Sequence, residues 1–226
     1  LDKHHLIQSG LTKELHYFDY DDYFKQSNKR ENFKHLRAFF PKNLSNETLL
    51  IDSTPIYSWK ENTIERIHHY NKSAKLILIL RNPIDRAYSQ WNMQYDLKIT
   101  LDSFENSIAR EMNRKNKRQS RALSYLERGF YSKQIENIWK IFGKGSLHII
   151  LSEDLRKNTT NELKKIYSFL NLEAPIKSNF SNIESNKRFY HKKQDTKTVK
   201  KLKDFFKEEI INLEKMINRD LSHWRN

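Results

Sequence analysis

An arginine closing an apolar strand, a capped helix start directly after it and a serine two turns further on make an arrangement suited to a phosphate monoester. The segment LRNPIDRAYS over 80–89 has that form. The run KLILILR over 75–81 is continuously apolar between charges, which predicts a central parallel strand covered on both faces. Arg81 then stands at the carboxyl end of that strand, where open α/β sheets bind their ligands. Asn82 is suited to cap a helix whose first residue is Pro83, with Asp85 in the first turn. The positive end of that helix and its free N–H groups would lie beside Arg81. Arg86 and Ser89, three apart, would share one helical face. A guanidinium fork, a hydroxyl and a helix start together suit phosphate. The plainer alternative is a strand-end arginine paired with Asp85 or another acid.

Other elements must carry this segment. TLLID over 48–52 is a short buried-strand candidate, and 58–70 has helical spacing at Trp59, Thr63, Ile64 and Ile67. A helix should start near Gly129, bury Tyr131, Ile135, Ile138, Trp139 and Phe142, and stop at Gly143 and Gly145. LHIIL over 147–151 is a second buried strand, and helices are expected over 160–172 and 196–217. Strands alternating with helices point to an α/β fold with a parallel sheet.

Composition narrows the chemistry. The chain has 226 residues, so one domain with elaborations is expected. It has no cysteine, which excludes a disulfide scaffold, a thiolate zinc site and a thiol nucleophile. Nine histidines include the pairs His4-His5 and His68-His69, but no HExxH or similar spacing, so no metal is expected. The longest strong apolar run, 76–80, is far short of the about 20 residues that span a membrane. Net charge is +14, and it is concentrated: 110–121 carries six basic and one acidic residue (+5), 187–203 eight and one (+7). Those 29 residues therefore hold +12 of the +14. Such clustering suits a local anionic partner, or else two solvated basic faces. A nucleic-acid-binding protein would explain the charge but not LRNPIDRAYS, and neither run has the aromatic interleaving of a single-strand platform.

LRNPIDRAYSQW closely resembles the 3′-phosphate-binding motif of sulfotransferases that use 3′-phosphoadenosine 5′-phosphosulfate (PAPS), and most of all the heparan-sulfate-type and related bacterial enzymes. The resemblance implies that Arg81 and Ser89 hold the nucleotide's 3′-phosphate. Upstream, KELHYFD over 13–19 resembles the K-E-x-H-F-F-D segment of heparan sulfate O-sulfotransferases, with Glu14 matching the catalytic base and His16 and Asp19 lying beside the acceptor. Lys13 would assist there. RGFY over 128–131 resembles the R-G-x-Y segment whose tyrosine, here Tyr131, lies along the nucleotide; Tyr131 equally fits the apolar face of its own helix. Lys187 and Arg188 resemble a basic loop that closes over the 3′-phosphate. SEDL over 152–155, FLNL over 169–172 and RDLSHW over 219–224 resemble structural signatures of bacterial members.

The resemblance implies a P-loop-like three-layer fold, a central parallel sheet flanked by helices, and sulfuryl transfer from PAPS to a hydroxyl or amine, with a carbohydrate as leading acceptor and 3′-phosphoadenosine 5′-phosphate (PAP) as product. A catalytically inactive PAP-binding module is the alternative. The family's P-K-x-G-T-T segment, which cradles the 5′-phosphosulfate, is absent from these residues, and Gly10 alone cannot replace it. The expectation is one sulfotransferase domain over 1–226 that lacks its first strand and that loop. A bacterial cytoplasmic setting is expected, with a Golgi lumenal domain as the alternative.

Overall fold

A computed structural model describes residues 1, 4–24, 33, 35–114, 120–175 and 195–225. Lys187 and Arg188 lie outside these. Four strands occur among the described residues: β1 (Ile7–Ser9), β2 (Leu49–Ile51), β3 (Leu76–Leu80) and β4 (Leu147–Leu151). β1 and β2 are parallel, with Ile7 opposite Leu49 and Ser9 opposite Ile51, and β3 neighbours β4. Seven helices accompany them among the described residues: α1 (Thr63–Tyr70), α2 (Pro83–Asp96), α3 (Phe104–Met112), α4 (Tyr131–Phe142), α5 (Ser152–Lys157), α6 (Thr159–Phe169) and α7 (Thr196–Ile217). The class is α/β, as the alternation of patterns implies. No helix among the described residues is long and apolar enough to cross a membrane, and no group of three metal-ligating side chains occurs among them.

Local chemistry accounts for the boundaries. The Asn82 side chain accepts from the Ile84 amide at 2.9 Å and Pro83 opens α2, the cap anticipated from sequence. Asp195 caps α7 through the Thr198 amide at 2.9 Å. Asn218, in the left-handed conformation at φ 51°, ends that helix. The helix expected over 58–70 begins only at Thr63, because Asn62 takes φ 61°; asparagine tolerates that region where most residues do not. β1 and α5 were not anticipated: three residues are too few to show a period of two, and SEDLRK has no apolar stripe.

The described residues cluster in two compact units, one drawn from Leu1–Leu78, Asn137–His148 and Lys157–Phe180, the other from Ile79–Glu136, Ile149–Arg156 and Ser181–Asn226. The first is built around aromatic packing. Tyr17 is fully buried, stacked on Tyr23 with ring centroids 4.9 Å apart and edge-on to Phe18 at 5.4 Å. Gly10 passes close to the Leu15 side chain, where a Cβ would come within 2.4 Å of its Cδ2 methyl.

In the second unit, Leu202, Phe206, Ile210 and Leu213 form the buried stripe of α7. Gly129 lets the chain pass close to that stripe: a Cβ would lie 2.8 Å from Phe206 and 2.9 Å from Pro83. Glu209 of α7 accepts from the Ser132 amide at 2.8 Å, so one helix caps the start of another. The SEDL and RDLSHW segments meet: Glu153 accepts from Trp224 Nε1 and pairs with His223, each at 2.7 Å, while Asp154 pairs with Arg219. Glu111 accepts from three successive amides, Tyr125, Leu126 and Glu127, at 2.6, 2.9 and 3.0 Å. One expectation for this region is corrected. Leu80 is fully buried, but Ile79 on the opposite face of β3 is 51% exposed, so the strand is not covered on both faces. An apolar run reports affinity for burial; the cover has to come from elsewhere in the chain.

Candidate active site

Within the first unit, parallel pairing sets two loops side by side. The segment 13–19 leaves the carboxyl end of β1, and 52–57 leaves that of β2. Ligands of open α/β sheets bind at such ends. Here the His16 ring stands between two carboxylates, with Nε2 3.3 Å from Glu14 Oε2 and Nδ1 3.2 Å from Asp19 Oδ2. Asp19 is buried, whereas the Glu14 side chain is 37% exposed and so reachable by an incoming molecule. Lys13 is exposed. Arg66 of α1 donates to the Phe18 carbonyl and to Asp21, each at 2.8 Å, and anchors the end of the segment.

Three residues beyond β2 belong to this arrangement and were not singled out from sequence. The Asp52 carboxylate accepts from Thr54 Oγ1 and Tyr57 Oη, each at 2.5 Å, and from the Leu15 amide at 3.5 Å. Burial pushes the Asp52 carboxyl up from the usual carboxylate range, while those three bonds and His16 oppose the shift. Burial, and then the Asp52 charge beside it, push the Tyr57 hydroxyl up strongly, so it stays protonated.

The second unit holds the strand–cap–helix segment. Arg81 follows β3, and its Nε is buried without a hydrogen-bond partner. No acid among the described residues pairs with its guanidinium, and Asp85 is exposed, so the alternative of an Arg81–Asp85 pair is absent. A buried unpaired guanidinium nitrogen is costly, and an anion would satisfy it. Ser89 is half-buried on α2. Arg86 differs from expectation. It is turned inward, with Nη1 donating to Gln90 at 2.8 Å and Nη2 to the Tyr125 carbonyl, so it does not join Ser89 on a ligand-facing stripe. Burial lowers its pKa, with Tyr131 and Glu111 opposing. Tyr131 is 5% exposed, and its hydroxyl donates to the Arg81 carbonyl at 2.9 Å. Burial is the main cause that pushes this hydroxyl up to about 12.

Comparison with known proteins places the chain in a family. The family model for the sulfotransferase domain matches residues 63–225. The chain belongs to the sulfotransferase domain family. That match includes Arg81, Ser89 and Tyr131 but begins downstream of the segment with Glu14. Heparan sulfate glucosamine 3-O-sulfotransferase 3B1 of Mus musculus is 27% identical over 140 residues, covering 62% of this chain and 35% of the relative. Heparan sulfate glucosamine 3-O-sulfotransferase 5 of the same organism is 27% identical over 187 residues, covering 79% of this chain and 50% of the relative. The chain thus spans a third to a half of the length of those relatives. The crystal structure of a sulfotransferase from Alicyclobacillus acidocaldarius superposes with a TM-score of 0.81 at 22% identity, covering 100% of this chain and 91% of that one. The P-loop-like α/β fold expected from the sequence is the fold of this chain.

Proposed function

We propose that this sulfotransferase moves a sulfuryl group from PAPS to a hydroxyl or amine of a glycan. The observation that carries the reading is the Arg81 guanidinium, with a buried Nε that no group among the described residues satisfies, at a strand end beside the capped start of α2. In this reading Arg81 and Ser89 hold the 3′-phosphate, and Tyr131 supports Arg81 from behind through its carbonyl. Arginine suits the task because its fork meets two phosphate oxygens at once.

Glu14 takes the proton of the acceptor as the new S–O or S–N bond forms, and the electrons of the breaking S–O bond pass to the 5′-phosphate oxygen of departing PAP. A carboxylate acting so needs a fixed direction and access to the acceptor. The His16 ring restrains Glu14, Asp19 restrains the ring, and the partial exposure of Glu14 leaves an approach. Lys13, exposed next to Glu14, is assigned to acceptor binding together with Asp19. The family relatives named for heparan sulfate glucosamine make a carbohydrate the first acceptor class to try. Lys187 and Arg188, outside the described residues, are assigned to closing over the 3′-phosphate. The whole chain is read as one sulfotransferase domain.

The test is incubation of the full-length protein with labelled PAPS and a panel of heparan-type glycans, followed by mass spectrometry. A sulfated glycan together with PAP is the expected result. PAP binding without any sulfated product would replace this reading with a nucleotide-binding module. Salt-sensitive binding to random DNA without affinity for PAP would replace both.

A further inference from the structure

We propose that Asp52, Thr54 and Tyr57 are positioning residues that hold the Glu14–His16 pair in place; the inference rests on the reading of Glu14 as the base. The segment that carries Glu14 lies in neither helix nor strand, and His16 sits at φ 52°, a left-handed conformation uncommon outside glycine. A backbone of this kind needs outside partners for its N–H groups. Four successive amides find them in these three side chains. Leu15 donates to Asp52 Oδ1 at 3.5 Å, His16 to Thr54 Oγ1 at 3.2 Å, and Tyr17 and Phe18 to Tyr57 Oη at 3.0 and 3.4 Å.

The direction of each bond follows from the carboxylate. An ionised carboxylate only accepts, so both hydroxyls must aim their protons at Asp52 and turn their lone pairs to the amides. The Tyr57 oxygen then donates once and accepts twice, which leaves it nothing to offer a substrate. Thr54 is likewise committed, and both residues are buried. Their role is therefore to place the groups on either side of His16 and not to touch the reacting atoms.

Thr54→Val tests this, since it keeps the shape of the side chain and removes the hydroxyl. With PAPS and a desulfated heparan oligosaccharide as probes, kcat should fall by about 10- to 100-fold while KM for PAPS stays within about twofold. Amide exchange at His16 should quicken by about tenfold or more relative to the rest of the core. Thr54→Ser should restore both, and Tyr57→Phe should quicken exchange at Tyr17 and Phe18. Unchanged turnover with unchanged exchange at residues 15–18 would overturn the proposal, as would exchange that rises evenly over the chain and is not rescued by Thr54→Ser. If the wild-type protein transfers no sulfuryl group, the role of Glu14 falls, whereas selective exchange at residues 15–18 still decides whether these side chains hold the segment.

Discussion

The Tyr131 hydroxyl donates to the main-chain carbonyl of Arg81 at 2.9 Å, so the first residue of α4 holds the backbone from which the unpaired guanidinium extends. Tyr131→Phe deletes that bond and leaves the ring in place. Stability should fall by about 0.5–1.5 kcal/mol, as for a buried neutral hydrogen bond. PAP affinity should fall only a few-fold, because the phosphate contact itself remains. Denaturant melts and calorimetric titration of PAP check the two parts.

Arg81→Ala should do the reverse. With no partner among the described residues to lose and a costly buried nitrogen removed, its stability should hold or rise. PAP binding should weaken by about 1.5–3 kcal/mol, the range for a charged hydrogen bond. Unchanged affinity in a titration would remove the 3′-phosphate from this residue.

Glu14→Gln keeps a side chain of the same size beside His16 and cannot take a proton. Turnover should drop by about 10²- to 10⁴-fold. PAP affinity should remain at the wild-type level. Steady-state rates with saturating PAPS, together with the same titration, separate a base from a binding residue.

Glu153 links stability to pH. Burial alone would push its carboxyl up, but hydrogen bonds from His223, its own amide, Trp224 and Ser152 outweigh that and hold it below the ordinary value of 4.5. An acid whose folded-state pKa is lowered contributes stability that is present above its unfolded pKa and lost as pH falls through the folded one. Glu153→Gln should therefore cost about 1–3 kcal/mol at pH 7. The gap from wild type should shrink below pH 4.5, which melts at pH 7 and pH 3 would reveal.

How far these features were legible differs for physical reasons. LRNPIDRAYS could be read as strand end, cap and helix because asparagine and proline act through local backbone geometry, and Asn82 does cap Pro83–Asp96. The freedom of Arg81 could not be read that way: pairing depends on which acids the fold brings near, and Asp85 only looks like a partner along the chain. Arg86 misled because helical spacing puts it on a face with Ser89 without saying that it reaches back to the Tyr125 carbonyl. KELHYFD drew attention through its resemblance to a family segment. Asp52, Thr54 and Tyr57 did not, since their bonds to residues 15–18 depend on the register of two three-residue strands. Strands that short carry no periodic signal.

The carboxylate of Glu111 gathers the amides of Tyr125, Leu126 and Glu127, so the polypeptide returns at 125 to the point it left at 111. The sequence between these positions holds much of the basic run at 110–121. Closing a loop becomes harder only slowly with length, by about 0.6 kcal/mol for each doubling. The length of that stretch therefore weighs little on stability by itself, whereas its returning arm is held in the fold: Gln90 of α2 donates to the Ala122 carbonyl at 3.0 Å, and Ser124 is fully buried.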